Sequence, residues 1–421
     1  MEIVANIAKV VFIPVIVLNF IPLLIWFERK GAAYIQDRRG PNRAQIFGIR
    51  LGGIIHNLAD VIKLLCKEEF IPAGANRFYF VLSPLIIMFV YIVTTAVIPF
   101  GDLVRIGETA FSLQIADLNV GILYLFAFSS LAVYGIMLAG WSSNNKYSFL
   151  GGLRASSQMV SYEISMGLSI MSLFMVAESL SLQQIVQEQG NLPWHWFVVR
   201  QPLAFLLFTV AIFAETNRTP FDLPEGESEL VAGFHVEYSS MKFALFFMAE
   251  YAAMVVGSAV IVSLFFGGWQ VPFLSTADLI EGAPFLTRVL LLGLGVLSVL
   301  GGLLLVIQFR PHKYGDLRDF EVLTFGVPAL LVGAAVIAFL FLVGLPVLPN
   351  WYPPVFAAIC QVITFLIKVA LFCFFFVWVR WTVPRFRYDQ LMGFGWKGML
   401  PLSLVNLFVT GLYLLFRGTG F

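Results

Sequence analysis

Between Ala214 and Tyr251 the chain carries seven carboxylates, Glu215, Asp222, Glu225, Glu227, Glu229, Glu237 and Glu250, against two bases, Arg218 and Lys242. Crowded like charges disfavour one another's ionised forms, so carboxyls in such a cluster can exchange protons near neutral pH. Their charge then responds to any charge that forms nearby. The bland alternative is a solvated acidic loop, which most charge runs are. Two features weigh against it. Phe221, Leu223, Leu230, Val231 and Phe234 interleave with the acids, and the segment is acidic where comparable loops are basic. Pro220 and Pro224 bar a helix from running through the turn.

Four ionisable residues stand inside or at the ends of apolar runs. Glu163 lies in QMVSYEISMGLS, Lys368 in ITFLIKVALF, Glu215 ends one run, and Glu250 falls one to two turns inside the next. A charge in hydrocarbon is expensive and usually meets a partner or lines a polar path. Lys368 is too deep to reach the surface by extending its side chain, so a protein interior is expected around it. Each residue alone could be one half of a packing ion pair. As a set they favour proton conduction. Glu28-Arg29-Lys30 and the basic turn Arg38-Arg39-Gly40-Pro41-Asn42-Arg43 follow the first apolar run. A positive stop signal explains the bases, but neither Glu28 nor the stiff Gly-Pro-Asn turn.

The elements that must position these residues follow from composition. The 421 residues are 59% hydrophobic and 12% charged, with 43 Phe and a mean hydropathy of +0.88. A soluble domain carries roughly 25% charged residues. Apolar runs long enough to cross a bilayer fall near 9–27, 79–100, 119–141, 160–178, 198–216, 243–268, 286–309, 325–345, 355–380 and 399–417. The fold expected is all-α, one integral membrane domain over 1–421 with about ten transmembrane helices. Of the 26 lysines and arginines, 20 fall in the loops after the odd-numbered spans. Positive charge marks the cytoplasmic side, which puts both termini on the opposite, periplasmic side. The first run ends in charge with no cleavage-type residues and reads as a retained helix rather than a signal peptide. Within the cytoplasmic loop 28–78, Leu51, Ile54, Ile55, Leu58, Val61, Ile62, Leu64 and Leu65 fall at helical spacing among His56, Asp60 and Lys63. That pattern predicts an amphipathic surface helix, either an interfacial anchor or a cover over a cavity.

The chain has no C-x-x-C pair, P-loop or H-E-x-x-H, and Cys66, Cys360 and Cys373 are widely separated. Neither a metal nor an iron–sulfur cluster is expected in it. Any electrons must come from a partner. The net charge of +1 gives no reason to expect nucleic acid.

The acidic segment 214–242, with ERKGAAYIQDRRGPNR after the first span, resembles the H subunit of bacterial respiratory complex I, equivalent to the first mitochondrially encoded subunit. ADVIKLLCKEEFIPAGA (59–75), LRASSQMVSYEISMGLS (153–169) and VPRFRYDQLMGFGWKGMLPLSLVNL (383–407) extend the likeness to both ends of the chain. The resemblance implies a subunit of a proton-translocating NADH:quinone oxidoreductase in the bacterial inner membrane, with quinone (ubiquinone or menaquinone) as substrate. Implied partners are the iron–sulfur and quinone-site subunits of the hydrophilic arm and the adjacent small and antiporter-like membrane subunits. It places Glu28, Arg29, Arg38, Asp60, Arg218, Phe221, Asp222, Glu225, Glu227 and Glu229 near the quinone chamber. The proton path it implies maps onto Glu163, Glu215, Glu250 and Tyr251, with spans two to six similar to half an antiporter. Residues 270–354 depart from the familiar pattern of about eight spans and predict an added helical hairpin. Rival readings are the equivalent anchor of a membrane-bound hydrogenase or other dehydrogenase, a stand-alone transporter, and a plain scaffold. The intact ETNRTPFDLPEGESELVAGFHVEYS run favours the quinone enzyme.

Overall fold

The computed structural model describes residues 2–107, 109–223, 226, 230–309, 320–342 and 349–418. The predicted site residues Glu225, Glu227 and Glu229, together with Pro224, and the loop bases Arg310, Lys313 and Arg318, lie outside the described residues.

The chain is helical throughout: α1 (Glu2–Ile35), α2 (Ile55–Cys66), α3 (Arg77–Thr94), α4 (Gly121–Ser142), α5 (Lys146–Ala177), α6 (Leu182–Gln189), α7 (Phe197–Arg200), α8 (Pro202–Glu215), α9 (Ser240–Phe265), α10 (Thr276–Glu281), α11 (Ala283–Ile307), α12 (Glu321–Leu342), α13 (Tyr352–Thr382), α14 (Tyr388–Gly393) and α15 (Leu400–Gly418). A π-helical turn, Phe394–Met399, joins the last two. Among the described residues the sheet is one antiparallel pair, β1 (Val104–Ile106) with β2 (Thr109–Phe111).

Nine helices among the described residues are long and apolar enough to cross a membrane, and the shorter α8 is a tenth apolar helix. The expected fifth span, 198–216, is therefore not one continuous helix. Gln201 leaves helical geometry (φ −134°, ψ 58°), and Pro202 restarts the chain as the first residue of α8, where its missing N–H costs nothing. The 14 residues of α8 rise only about 21 Å.

Helices α3, α4, α5, α8 and α9 pack in a closed ring, each on the next, with α9 returning to α3. Close approach of α4 and α5 depends on Gly140, whose absent Cβ would sit 2.6 Å from the Ser148 carbonyl oxygen. Helix α9 is the axis of the molecule, with 78% of its most apolar stretch buried. It packs also on α1 and α13. The hairpin α11–α12 is peripheral, with the same measure at 11% and 17%. Its two helices meet through glycines: Cβ atoms on Gly302 and Gly333 would each lie 2.7 Å from the carbonyl oxygens of Gly326 and Gly295, the small-residue contact by which helices associate in lipid.

The amphipathic helix forms as α2. Asn57 Nδ2 donates to the Pro22 carbonyl of α1 at 2.6 Å, and Ser240 Oγ at the start of α9 donates to the Leu64 carbonyl at 2.9 Å. Leu58, Val61, Ile62 and Leu65 point away from the rest of the chain. Loops predicted to share one side do gather at one end of the bundle. Arg385 pairs with Asp222, Lys242 with Glu69, Arg50 with Glu321, and Asn145 Nδ2 donates to Glu237.

Lys368 does face a protein interior, but it stands apart from the buried carboxylates that its depth in the chain suggests as companions. Its ammonium donates to the carbonyls of Phe266, Gly268 and Gln270 at 2.9, 3.0 and 2.8 Å, and lies 4.5 Å from the Trp196 ring centroid. These carbonyls close the C-terminal end of α9, where free oxygens and the negative end of the helix dipole both favour a cation. Lys368 is a helix cap. Lys368→Met is expected to lower stability by roughly 2 kcal/mol, the cost of carbonyls left without donors. A fall in the thermal midpoint of the purified protein, smaller for Lys368→Arg, checks this.

Candidate functional site

The 214–223 segment folds inward rather than lying on the surface. One amide from α5, Gln158, organises it: Nε2 donates to the carbonyls of Ala214 (2.8 Å) and Phe221 (2.9 Å) and to Asn217 Oδ1 (3.2 Å). Phe221 is buried between the rings of Tyr162 and Phe386. The turn thereby carries Arg218 into the bundle, where it is 3% exposed.

Arg218 is clasped by two helices. Its Nε lies 2.8 Å from Glu250 Oε1 on α9, and its Nη1 lies 3.5 Å from Glu28 Oε2 on α1. The guanidinium sits 4.0 Å above the Tyr251 ring, a cation–π contact strengthened by exclusion of water. The Tyr251 hydroxyl donates to Glu28 Oε2 at 2.9 Å. The second oxygen of Glu28 accepts from Arg380 Nη1, in the last turn of α13. Two carboxylates and two guanidinium groups thus form one quartet, with Arg218 and Glu28 buried and Arg380 exposed at its outer edge. Burial alone would lower the Arg218 pKa, but Glu250 and Glu28 raise it well above the ordinary arginine value. Beside the quartet, Arg385 Nη2 meets Asp222 Oδ2 at 2.7 Å. Burial raises the Asp222 pKa despite the opposing pull of Arg385, Arg380 and Arg218. Arg218 Nη2 and Asp222 Oδ1 are buried without a hydrogen-bond partner among the described residues, and so is Arg218 Nε, whose closeness to Glu250 is an ion-pair contact without hydrogen-bond geometry.

A cavity of about 190 Å³ continues inward, lined by Glu250, Arg380, Glu215, Asn217, Tyr91 and His235. A smaller one, about 30 Å³, lies next to it and shares Tyr91, Glu215, Thr216 and Ala253. All five ring helices line it, through Tyr91, Ser129, Met166, Glu215 and Gly257 among others. The neighbouring Ser130 donates to Glu163 Oε1. From Glu28 on α1, the carboxylates Glu250, Glu215 and Glu163 therefore follow in order into the ring, linked in turn by Arg218, the two cavities and the adjacent Ser129 and Ser130.

On the other side of Glu28 an open groove of about 480 Å³ is lined by Glu28, Arg29, Arg38, Gly40, Pro41, Arg380 and Trp381. Arg29 pairs with Asp60 of α2, and Arg38 Nε donates to Gln36 Oε1 at 2.8 Å. Of the residues expected at the site, the structure brings together Glu28, Arg218, Glu250 and Tyr251, sets Asp222 and Phe221 beside them, and places Arg29, Arg38 and Asp60 around the groove. Sequence reasoning misses Arg380, Arg385, Tyr91, His235 and the serine pair. In the sequence the two arginines read as orientation signals alone, though their five-residue spacing at a helix end offers a hint. Among the described residues no three His, Cys, Asp or Glu side chains converge as a metal site requires.

The fold and this site define a multi-pass membrane protein with a buried chain of ionisable groups opening on a charged groove. The family model described as NADH dehydrogenase matches residues 7–310 and 322–411. The chain is 42% identical over 400 residues to the NADH-quinone oxidoreductase H subunit 1 of Solibacter usitatus, covering 94% of this chain and 93% of that one. It is 42% identical over 390 residues to the NADH-quinone oxidoreductase H subunit of Flavobacterium johnsoniae, covering 93% and 89%. The chain belongs to the NADH dehydrogenase family. The corresponding H subunit 1 of Geobacter metallireducens, 39% identical, aligns over 99% of this chain and 98% of its own length. Such coverage spans the α11–α12 hairpin, as the family model's match also does.

Arg218→Ala leaves Glu28 and Glu250 buried with one counter-charge fewer. The expected cost is about 3–5 kcal/mol, seen as loss of assembled protein from membranes, with Glu250→Gln in the same chain restoring part of it. His235 is held neutral, its pKa pushed down to about 4 by burial. An unfolded histidine binds its proton from about pH 6.5 downward, so His235 contributes stability that is present above that value and is lost as pH falls toward 4. His235→Gln is expected to flatten that acid-side loss in thermal midpoints measured from pH 7 to pH 4.

Proposed function

We propose that this chain is the membrane subunit of an NADH:quinone oxidoreductase that forms much of the quinone chamber and couples quinone reduction to proton translocation. The observation that carries the reading is the unbroken order of Glu28, Arg218, Glu250, Glu215 and Glu163 from the groove into the five-helix ring. The names of the relatives favour the quinone enzyme over the hydrogenase anchor. The chain would sit in the bacterial inner membrane with both termini periplasmic. It would contact the iron–sulfur and quinone-site subunits of a hydrophilic arm and the small and antiporter-like membrane subunits.

Quinone approaches from the bilayer along the groove. A partner's iron–sulfur cluster supplies two electrons, and the reduced ring takes two protons to become quinol. Between those events the head group is anionic. Arg29 and Arg38 face that charge as fixed cations. In a space of low dielectric the charge acts strongly on carboxylates several ångströms away. Glu225, Glu227 and Glu229 are the groups proposed to respond first, by taking up protons. The quartet then shifts its internal balance, because Glu28 is tied both to the groove and to Arg218. Glu250 and Glu215 share one cavity, through which water can carry a proton between them. Glu163 passes the change to the neighbouring membrane subunits.

Glu163→Gln and Glu215→Gln are each expected to cut coupled quinone reduction by roughly 100-fold, the low end of what one positioned acid–base group contributes. NADH oxidation by ferricyanide, which bypasses quinone, should stay unchanged in the same membranes. Unaltered proton pumping and quinone reduction in both variants would reject the relay.

A further inference from the structure

The hairpin α11–α12 touches the rest of the chain lightly, yet its basic-loop end makes a tight polar contact. Glu321, the first residue of α12, has a side chain only 12% exposed. Its Oε1 accepts from the backbone N–H of Arg50 (2.9 Å) and of Leu51 (2.8 Å), and its Oε2 accepts from Arg50 Nε (2.8 Å). At the other end of the hairpin, Thr287 and Tyr352 hydroxyls meet at 2.9 Å.

The backbone that Glu321 grips is not one the loop would hold alone. Leu51, Gly52 and Gly53 have successive φ values of 47°, 64° and 102°. Such angles are strained for leucine, of order 1 kcal/mol, and persist only where surroundings enforce them. The Leu51 amide is one of the two donors held by the carboxylate. Trp26 Nε1 fixes the next carbonyl, that of Gly52, at 3.2 Å.

From this turn the contact passes directly to the groove. A Cβ on Gly53 would lie 2.0 Å from the Pro41 carbonyl oxygen, so the two backbones touch. Arg50 Nη1 reaches Asn42 Oδ1 at 3.5 Å. Lys30 Nζ holds the same segment from α1, donating to the carbonyls of Arg39 (2.9 Å) and Pro41 (3.2 Å). Gly40 and Pro41 line the groove together with Arg380 and Trp381.

We propose that the α11–α12 hairpin is a strut that sets the width of the groove, with Glu321 as the positioning residue that holds the 50–53 turn against Pro41. Glu321 touches neither the groove nor the quartet, so it acts on ligand entry and not on proton exchange. The inference rests on reading the groove as the path of quinone approach. It assigns the hairpin a role in substrate affinity, which a segment serving only to meet lipid would lack.

The test uses the assembled complex in membranes, with Glu321→Ala and Glu321→Gln. Two quantities are read: the KM and kcat for a short-chain quinone, and backbone hydrogen exchange over residues 38–44, which do not contact Glu321. Ferricyanide reduction by NADH reports that the complex is assembled. For Glu321→Ala the expected result is a roughly tenfold rise in KM with kcat within about twofold, the scale of one lost charge-assisted hydrogen bond. Exchange over 38–44 should quicken by a similar factor. Glu321→Gln keeps an oxygen for the two amides and should recover part of both effects. Unchanged exchange over 38–44 in an assembled Glu321→Ala complex overturns the strut. Faster exchange with an unchanged KM keeps the mechanical tie and instead overturns the quinone reading of the groove. A fall in kcat at constant KM also overturns the strut, since it would place Glu321 in turnover rather than entry.

Discussion

The arrangement depends on one buried arginine held between two carboxylates, one facing the groove and the other the inner cavity. Arg218 draws Glu28 of α1 and Glu250 of α9 toward each other, and Arg380 brings the count of charges back to balance. A buried ion pair contributes little over a well-packed apolar substitute, whereas a broken one leaves a charge with nowhere to go. The quartet therefore fixes geometry more than it adds stability. It ties the end of α1, the middle of α9, the end of α13 and the inward turn after α8 to a single point. Those are the elements that must stay in register if the groove and the ring are to communicate.

Such a cluster is also sensitive by construction. Arg218 lies between Glu28 and Glu250, so under the proposed function a new charge beside Glu28 would act on Glu250 through a single side chain. Tyr251 donates a neutral hydrogen bond to Glu28 and sets its aromatic face against the same arginine. Asp222 with Arg385 forms a second pair next to the first. Between the two pairs, Arg218, Arg380 and Arg385 each face a carboxylate.

Much of this is legible from the chain alone because membranes penalise charge so steeply. Glu250 and Glu163 stand out against apolar surroundings, Glu28 and Arg218 are reached through the family resemblance, and the helical spacing from Leu51 to Leu65 announces α2. Hydropathy overstates the fifth span because it averages over Gln201 and Pro202, and one proline among apolar neighbours barely lowers a window. Lys368 is conspicuous in the sequence, but its partners are backbone carbonyls, which every residue has and no sequence pattern marks. Arg380 and Arg385 are hidden by a sufficient explanation, since a positive loop already accounts for them. The Glu321–Arg50 clasp joins positions 271 apart, a pairing that no local pattern encodes.

Helix α8 begins at a proline and ends at Glu215, well short of a bilayer's hydrocarbon thickness of about 30 Å. Its far end lies level with Tyr91, some fourteen residues into α3. The chain beyond it is irregular backbone deep in the protein, which lipid would never tolerate and which neighbouring helices cover. The consequence is topographic: the tip of this truncated helix opens directly into a cavity walled by all five ring helices, so a side chain there meets the ring's interior without crossing another helical turn.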